Sequence, residues 1–377
     1  MKSLGLYVHI PFCKSRCLYC DFISSKLTDD SALKLYSQKV RDEIDILGEQ
    51  GLFDNHQLDT IYFGGGTPSL LKIDYFRTIL EIKFLNKGFL LKEFTIEANP
   101  GSIDYDTIIA LKKYGLNRVS IGVQSLSDKS LKAIGRIHDK DKAIEAIKLA
   151  IKAGVEVSVD LMLGIPYQTK EDIKFFIDTV VNLGVNHISM YMLSLEEGTA
   201  LTKLVEEGKL EVASDDEKVE LLDYASLLLK EKGLYRYEVS NFARKGKEAI
   251  HNTKYWRLED YIGVGVGAHS LIDNKRFYNP DSFEDYYACI NRKELAHIKE
   301  EDLTESDVEE EYIMLAFRLS DGIDLVDYKN KFGIDFNEKY KNQINKYNNF
   351  LNINNNNISI KEEYLSVMNS IVVDFLS

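Results

Sequence analysis

Residues 7–22 read YVHIPFCKSRCLYCDF. A strand candidate, Leu4–Ile10, runs directly into three cysteines, Cys13, Cys17 and Cys20, spaced CxxxCxxC. One short loop therefore offers three thiolates. A structural zinc site takes four tetrahedral ligands. The chain has only four cysteines, and the fourth, Cys289, is far away with no CxxC partner. Three thiolates suit a four-iron four-sulfur cluster with one iron left without a protein ligand. Such clusters are normally held by four cysteines. The missing ligand leaves an iron open to a substrate or cofactor.

Outward from this loop, short β-branched or aromatic runs alternate with longer amphipathic ones. The strand candidates are Leu4–Ile10, Thr60–Phe63, Phe94–Glu97, Val119–Val123, Val155–Leu163 and His187–Leu193. Helices are expected over Asp29–Gly48, Ile73–Phe84, Tyr105–Tyr114, Asp141–Ala153, Glu171–Leu183 and Asp215–Lys232. Strands alternating with helices argue for parallel βα units. Six units fall short of the eight that close a barrel. The expected fold class is α/β, a partial, open (β/α)6 barrel with a mostly helical C-terminal domain. The expected divisions are 1–234 for the barrel, 235–280 for a connecting segment, and 281–377 for a helical, winged-helix-like domain. The last includes a small hairpin over Leu351–Ile360, turning on Asn354–Asn357.

The polar and glycine-rich motifs all follow strands. GGGTP (Gly64–Pro68) follows the second, EANP (Glu97–Pro100) closes the third, and GVQS (Gly122–Ser125) closes the fourth. DLMLGIP (Asp160–Pro166) closes the fifth. C-terminal strand ends are where parallel barrels build their sites. The glycines of GGGTP let backbone approach a ligand, with amides free for a carboxylate or amine. Glu97 and Asp160 end apolar strands, and buried acids require a partner, which a cationic ligand would supply. Arg136 in IGRIH is either a fixed cation for a carboxylate or a surface arginine.

Beyond residue 235, HNTKYW gathers His251, Asn252, Tyr255 and Trp256, the only tryptophan of the chain. A histidine beside flat aromatics suits a metal or haem. Read on its own, it better suits a core tryptophan beside a hydrogen-bonded histidine. His9 and His269 are rival histidines. GVGVGA (Gly263–Ala268) spells a dinucleotide fingerprint but lacks the helix and acid that it needs. Close backbone packing, or contact with a flat ligand, explains its glycines better.

The chain has 377 residues, 45% hydrophobic and 28% charged, with a net charge of −13. Residues 300–377 hold seven Lys/Arg against sixteen Asp/Glu. This balance excludes a nucleic-acid partner held by bulk electrostatics, even if the C-terminal domain is winged-helix-like. No signal peptide or transmembrane segment is legible. Few cysteines, three of them clustered, suit a reducing compartment, so a cytoplasmic location is expected.

Together these motifs closely resemble the radical S-adenosylmethionine (SAM) family of oxygen-independent coproporphyrinogen oxidase and its relatives. The resemblance covers YVHIPFC, GGGTPS, EANPG, RVSIGVQS, GRIH, DLMLGIP and the C-terminal helices. It implies that Cys13, Cys17 and Cys20 hold the cluster, whose open iron chelates SAM. It places Tyr19 near the adenine, and Tyr7, Gly65, Gly66, Thr67, Glu97, Gln124, Arg136 and Asp160 in contact with SAM. The oxidase branch carries a further cysteine two places after the third and an N-terminal extension. Here that place is Phe22, and twelve residues precede Cys13. HNxxYW is typical of the HemW-like haem-chaperone branch, which the sequence resembles. That implies haem bound near His251, Asn252, Tyr255 and Trp256, and transfer to haem-requiring proteins. The alternative is anaerobic oxidative decarboxylation of coproporphyrinogen III.

Overall fold

A computed structural model describes residues 1–27, 29–81, 91–299 and 303–376. Six strands lie side by side and parallel in chain order. They are β1 (Lys2–Ile10), β2 (His56–Gly65), β3 (Glu93–Ala98), β4 (Arg118–Gln124), β5 (Glu156–Leu163) and β6 (His187–Met192). The helices between and after them are α1 (Asp30–Glu49), α2 (Ile73–Leu80), α3 (Tyr105–Lys112), α4 (Lys140–Lys152), α5 (Lys170–Leu183) and α6 (Asp215–Glu231). The expected end of the second helix, Phe84, lies outside the described residues. Helix starts follow capping chemistry. Asp29, Asp104 and Asp139 each accept an amide of the first turn. Thr169 and Ser214 form capping boxes with Asp172 and Glu217.

Strand periodicity sorts the residues onto two faces. Leu6, Val8, Ile61, Phe63, Phe94, Ile96, Val119, Ile121, Val157 and Val159 join the buried apolar core. Each large aliphatic side chain buried this way contributes roughly 1.5–3 kcal/mol. The alternate positions face the lumen and are mostly polar. Thr95, Glu97, Arg118, Ser120, Ser158, Asp160, His187, Ser189 and Tyr191 line one small chamber there. A closed eight-stranded parallel barrel is filled by aliphatic layers. Here the interior is equipped for polar chemistry.

Both edges of the six-strand sheet are covered. β7 (Asn241–Ala243) pairs antiparallel with β6. After the helix α7 (Ile250–Trp256), strand β8 (Tyr261–Val264) pairs parallel with β1, placing Gly263 beside Tyr7. β9 (His269–Ile272) and β10 (Lys275–Tyr278) extend that side. The GVGVGA run is therefore a strand end and tight turn. Gly265 has φ +100°, and a side chain there would strike the Tyr36 hydroxyl and the His9 carbonyl. Its amide donates to buried Glu43 at 2.8 Å. Asn279 Nδ2 and the Tyr286 hydroxyl also donate to Glu43, each at 2.7 Å. Close backbone packing explains these glycines.

The C-terminal region has its own core, built on Tyr312, Phe317, Tyr328, Phe336, Tyr340 and Phe375, with Leu258 and Leu271 reaching into it. The helices α8 (Phe283–Asn291), α9 (Glu305–Ala316) and α10 (Leu325–Phe332) precede a hairpin of Leu351–Ile353 and Asn357–Ile360. The Asn354 side chain closes that turn by accepting the amides of Asn356 and Asn357. The helical stretch before this hairpin is interrupted. It forms as Phe336–Lys339 and Lys341–Lys346, broken at Tyr340. The Tyr340 hydroxyl donates to buried Glu309 at 2.8 Å, pinning the chain at the break. Among the described residues no helix is long and apolar enough to cross a membrane.

Candidate functional site

The cysteine loop is seated by backbone. Gly66 N donates to Ile10 O at 2.9 Å, and Thr67 N to Phe12 O at 2.8 Å. Leu18 N reaches Ile134 O at 3.1 Å, and Leu27 N reaches Cys13 O at 2.9 Å. All four cysteines are free thiols, half-buried. Thr67 Oγ1 lies 3.6 Å from Cys13 Sγ, and Arg136 Nη1 lies 3.3 Å from Cys17 Sγ. Burial pushes the Cys20 thiol upward in pKa. Cys289 lies apart on α8, packed against the barrel core.

The loop closes one side of a cavity of about 540 Å³ at the C-terminal ends of the strands. Tyr19, Gly65, Gly66, Thr67, Glu97, Gln124, Arg136 and Asp160 all line it, together with Cys13, Cys17 and Cys20. Tyr7 does not line it. Its hydroxyl bonds His9 Nδ1 at 2.9 Å, and burial raises its pKa.

The two acids are buried and poised. Burial lifts Glu97 to about 7. The Tyr62 hydroxyl, at 2.7 Å, and the Gly65 amide, at 3.2 Å, oppose that rise, while Asp160 adds to it. Burial lifts Asp160 to about 6, against the pull of Ser189 and Arg136. Arg136 is no surface arginine. Nη2 donates to Asn99 Oδ1 at 2.6 Å and to the Gly122 carbonyl, and Nε is buried without a partner among the described residues. Gln124, at φ +66°, likewise keeps a buried Oε1 without a partner. Orphaned buried polar atoms on a cavity wall mark a place for a polar ligand.

One expectation changes here. The amides of GGGTP are not free for a ligand, because Gly65 N donates to Glu97 and Gly66 N and Thr67 N hold the cysteine loop. A Cβ on Gly66 would lie 2.7 Å from Phe12 O and 2.9 Å from Ile10 O. Gly66 is required by the loop backbone.

Sequence reasoning missed Asn99. It bridges the site, donating to Thr67 Oγ1 at 2.9 Å and accepting from Arg136. It sits inside EANP, two residues past Glu97, where a polar residue closing a strand was the available signal. Tyr62 was missed too. It alternates with buried Ile61 and Phe63 along β2, and that period of two points it into the lumen.

HNTKYW lies elsewhere. It forms α7, which lies against the middle of β2 and the start of β3. His251 is fully buried. Its Nδ1 bonds Thr60 Oγ1 and its Nε2 bonds the Tyr255 hydroxyl, each at 2.8 Å. Burial lowers its pKa to about 3, so the ring is neutral. Both ring nitrogens are thus engaged within the protein in this arrangement, as in the reading of a hydrogen-bonded histidine beside the tryptophan. Trp256 is half-buried under the Arg318 guanidinium, 5.5 Å from the ring centre. Of the rival histidines, His9 is buried against Tyr7, and exposed His269 stacks on Tyr278.

A three-thiolate loop on the rim of a partial parallel barrel defines a radical SAM protein, and the Radical SAM superfamily model matches residues 7–180. The HemN C-terminal domain model matches residues 303–366. The "Heme chaperone HemW" of Bacillus subtilis is 32% identical over 88% of this chain and 87% of its own length. That of Escherichia coli is 35% identical over 72% of this chain and 71% of its own. Among solved structures, the coproporphyrinogen III oxidase HemN of Escherichia coli superposes with a TM-score of 0.83 at 20% identity, covering 100% of this chain and 90% of that one. The chain belongs to the HemW family of radical SAM proteins. That membership carries a four-iron four-sulfur cluster and SAM, and the donor set fits both. Cys13, Cys17 and Cys20 would hold the cluster. The orphaned polar atoms and paired acids of the cavity suit a ligand bearing both charges.

Proposed function

We propose that the protein binds haem at the mouth of this cavity and passes it to haem-requiring acceptor proteins, with SAM and the cluster bound behind it. The observation that carries the placement is an apolar rim. Phe22 is 68% exposed, Met192 46% and Tyr191 42%, and all three line the cavity that holds the cysteines. Exposed apolar side chains gathered at a cleft mark an interaction site. Flat aromatics suit a macrocycle. The Met192 thioether is an iron ligand of a known type, and exposed Arg16 offers a cation to a propionate. Glu97, Asp160, Gln124, Arg136 and Tyr19 contact SAM in this reading, whereas HNTKYW does not touch the haem.

The oxidase reading has less behind it. The likeness to HemN is one of fold, and Phe22 stands where that branch has a cysteine. The test is anaerobic, with cluster-loaded protein and haem or coproporphyrinogen III. A haem-dependent Soret shift without protoporphyrinogen formation is expected. Turnover of coproporphyrinogen without haem binding would replace the chaperone with the oxidase.

A further inference from the structure

HNTKYW was singled out by its residues, yet the cavity does not use it. Its surroundings show what it does touch. Strand β3 carries Glu93, Thr95 and Glu97 on its lumen face. Glu97 faces the cavity. Four residues earlier, the Glu93 carboxylate accepts the amides of Ile250 and His251 at 2.9 and 3.2 Å. Glu93 is held in turn by Arg118 at 3.2 Å, and Arg118 also donates to the carbonyls of Lys247 and Glu248. One strand thus fixes α7 at one end and offers an acid to the cavity at the other.

Two routes lead from the motif to the acids. The His251 ring stacks on Tyr62, with centres 5.2 Å apart and planes 23° apart. The Tyr62 hydroxyl donates to Glu97 Oε1 at 2.7 Å. Asn252 lines a polar chamber of about 50 Å³ that Glu97 and Asp160 also line. That is room for a water or two between polar partners.

We propose that the His251–Asn252 pair is a positioning device for the SAM-binding acids: His251 holds Tyr62 so that its hydroxyl fixes the Glu97 carboxyl, and Asn252 completes the chamber beneath Glu97 and Asp160. This rests on the reading that Glu97 faces SAM, and it is independent of where haem binds. A Tyr62 ring without its stacking partner turns more freely, and the hydroxyl spends less time on Glu97. The effect reaches SAM only through that carboxyl.

The test is SAM affinity by calorimetry on cluster-loaded protein, with iron content and melting temperature checking each variant. Tyr62→Phe deletes one hydroxyl and should weaken SAM about tenfold, as expected for a hydrogen bond to an ionisable acid. His251→Ala should weaken it about fivefold, in the range of an aromatic contact. The double variant should be no weaker than Tyr62→Phe by more than about twofold, because both act through one contact. His251→Phe keeps a ring under Tyr62 and should restore affinity to within about twofold of the parent, although it leaves Thr60 and Tyr255 unpaired. Additive losses in the double variant, or no rescue by His251→Phe, would overturn the proposal. A Glu97→Gln variant separates the premise. If it binds SAM as tightly as the parent, Glu97 does not face SAM and the proposal falls with that reading. If it binds weakly while Tyr62→Phe and His251→Ala bind normally, only the positioning role fails.

Discussion

The rim and the floor of this barrel are built from equally conspicuous motifs, but they meet the solvent differently. At the rim, the ends of β2 to β5 bring Gly66, Glu97, Gln124 and Asp160 to one cavity with the cysteines. At the floor, HNTKYW packs inward, with His251 fully buried and Lys254 paired to Asp59 at 2.9 Å. Among the described residues, the rim leaves polar atoms without partners on Gln124 and Arg136. The motif's histidine has both ring nitrogens hydrogen-bonded. Residue type alone suggests a ligand at both places. Unpartnered polar atoms on the cavity wall suit a polar ligand, whereas the hydrogen-bonded ring of His251 supports the residues around it.

The largest expected effect tests whether the rim is a cluster site at all. Cys17→Ala should abolish most iron incorporation in anaerobic reconstitution, while Cys289→Ala retains about four irons per chain. Equal iron in both variants would dissolve the distinction between the loop and the rest of the molecule.

Next comes Gly66→Val. Read from the sequence, it obstructs SAM and leaves the cluster in place. Read from the packing, its side chain collides with Phe12 O and Ile10 O and dislodges the cysteine loop. The structure therefore predicts reduced iron content and a loss of about 1–3 kcal/mol of stability from overpacking. Chemical denaturation and iron analysis decide between these readings. Full iron with normal stability would favour the first.

How much of this was legible beforehand depends on the range of the interactions involved. The six strands and their order follow from local periodicity, and the rim motifs follow from their position after each strand. The strand β8 was not legible. Tyr261–Val264 is short, and it becomes a strand by pairing with β1, more than 250 residues away. The use of the GGGTP amides was hidden for the same reason, since their acceptors lie on the cysteine loop and β3. Nor does the spelling of HNTKYW reveal that Thr60 and Tyr255 occupy the two nitrogens of His251. Side-chain alternation along β2 could have revealed Tyr62, and with it a link between the two regions.

A smaller effect contrasts mouth and floor for haem. Phe22→Asp places a charge where a macrocycle should stack and should weaken haem binding about tenfold, the cost of losing an apolar contact. Met192→Ala should shift the Soret band. His251→Ala should leave haem affinity within about twofold, because in this reading the ring never meets the haem. Spectrophotometric titration measures all three. A haem spectrum altered only in His251→Ala would move the haem site to the floor.

The smallest effect is a pH dependence that belongs to the rim alone. Glu97 sits at about 7 and Asp160 at about 6, both raised chiefly by burial. The groups facing Glu97 are Tyr62, the Gly65 amide and Asp160, while Ser189 and Arg136 face Asp160. A carboxyl whose folded pKa is raised binds more protons in the folded state than in the unfolded chain. Its contribution therefore lowers the stability of ligand-free protein as pH rises from about 4.3 through 7. SAM carries a sulfonium charge, which favours the ionised carboxylates. Its binding near pH 6 should release protons, and its affinity should rise with pH and level off above about 7. Stability without ligand and affinity for SAM thus move in opposite directions over the same window. Buried Glu43, also near 7, adds to the stability curve but lies outside the cavity, so it should not affect the affinity curve. Glu97→Gln should flatten the affinity curve and leave the Glu43 part of the stability curve intact. Calorimetry in two buffers of different ionisation enthalpy would count the protons. An affinity flat from pH 5.5 to 7.5, with no proton released, would mean that neither acid faces the charge of SAM.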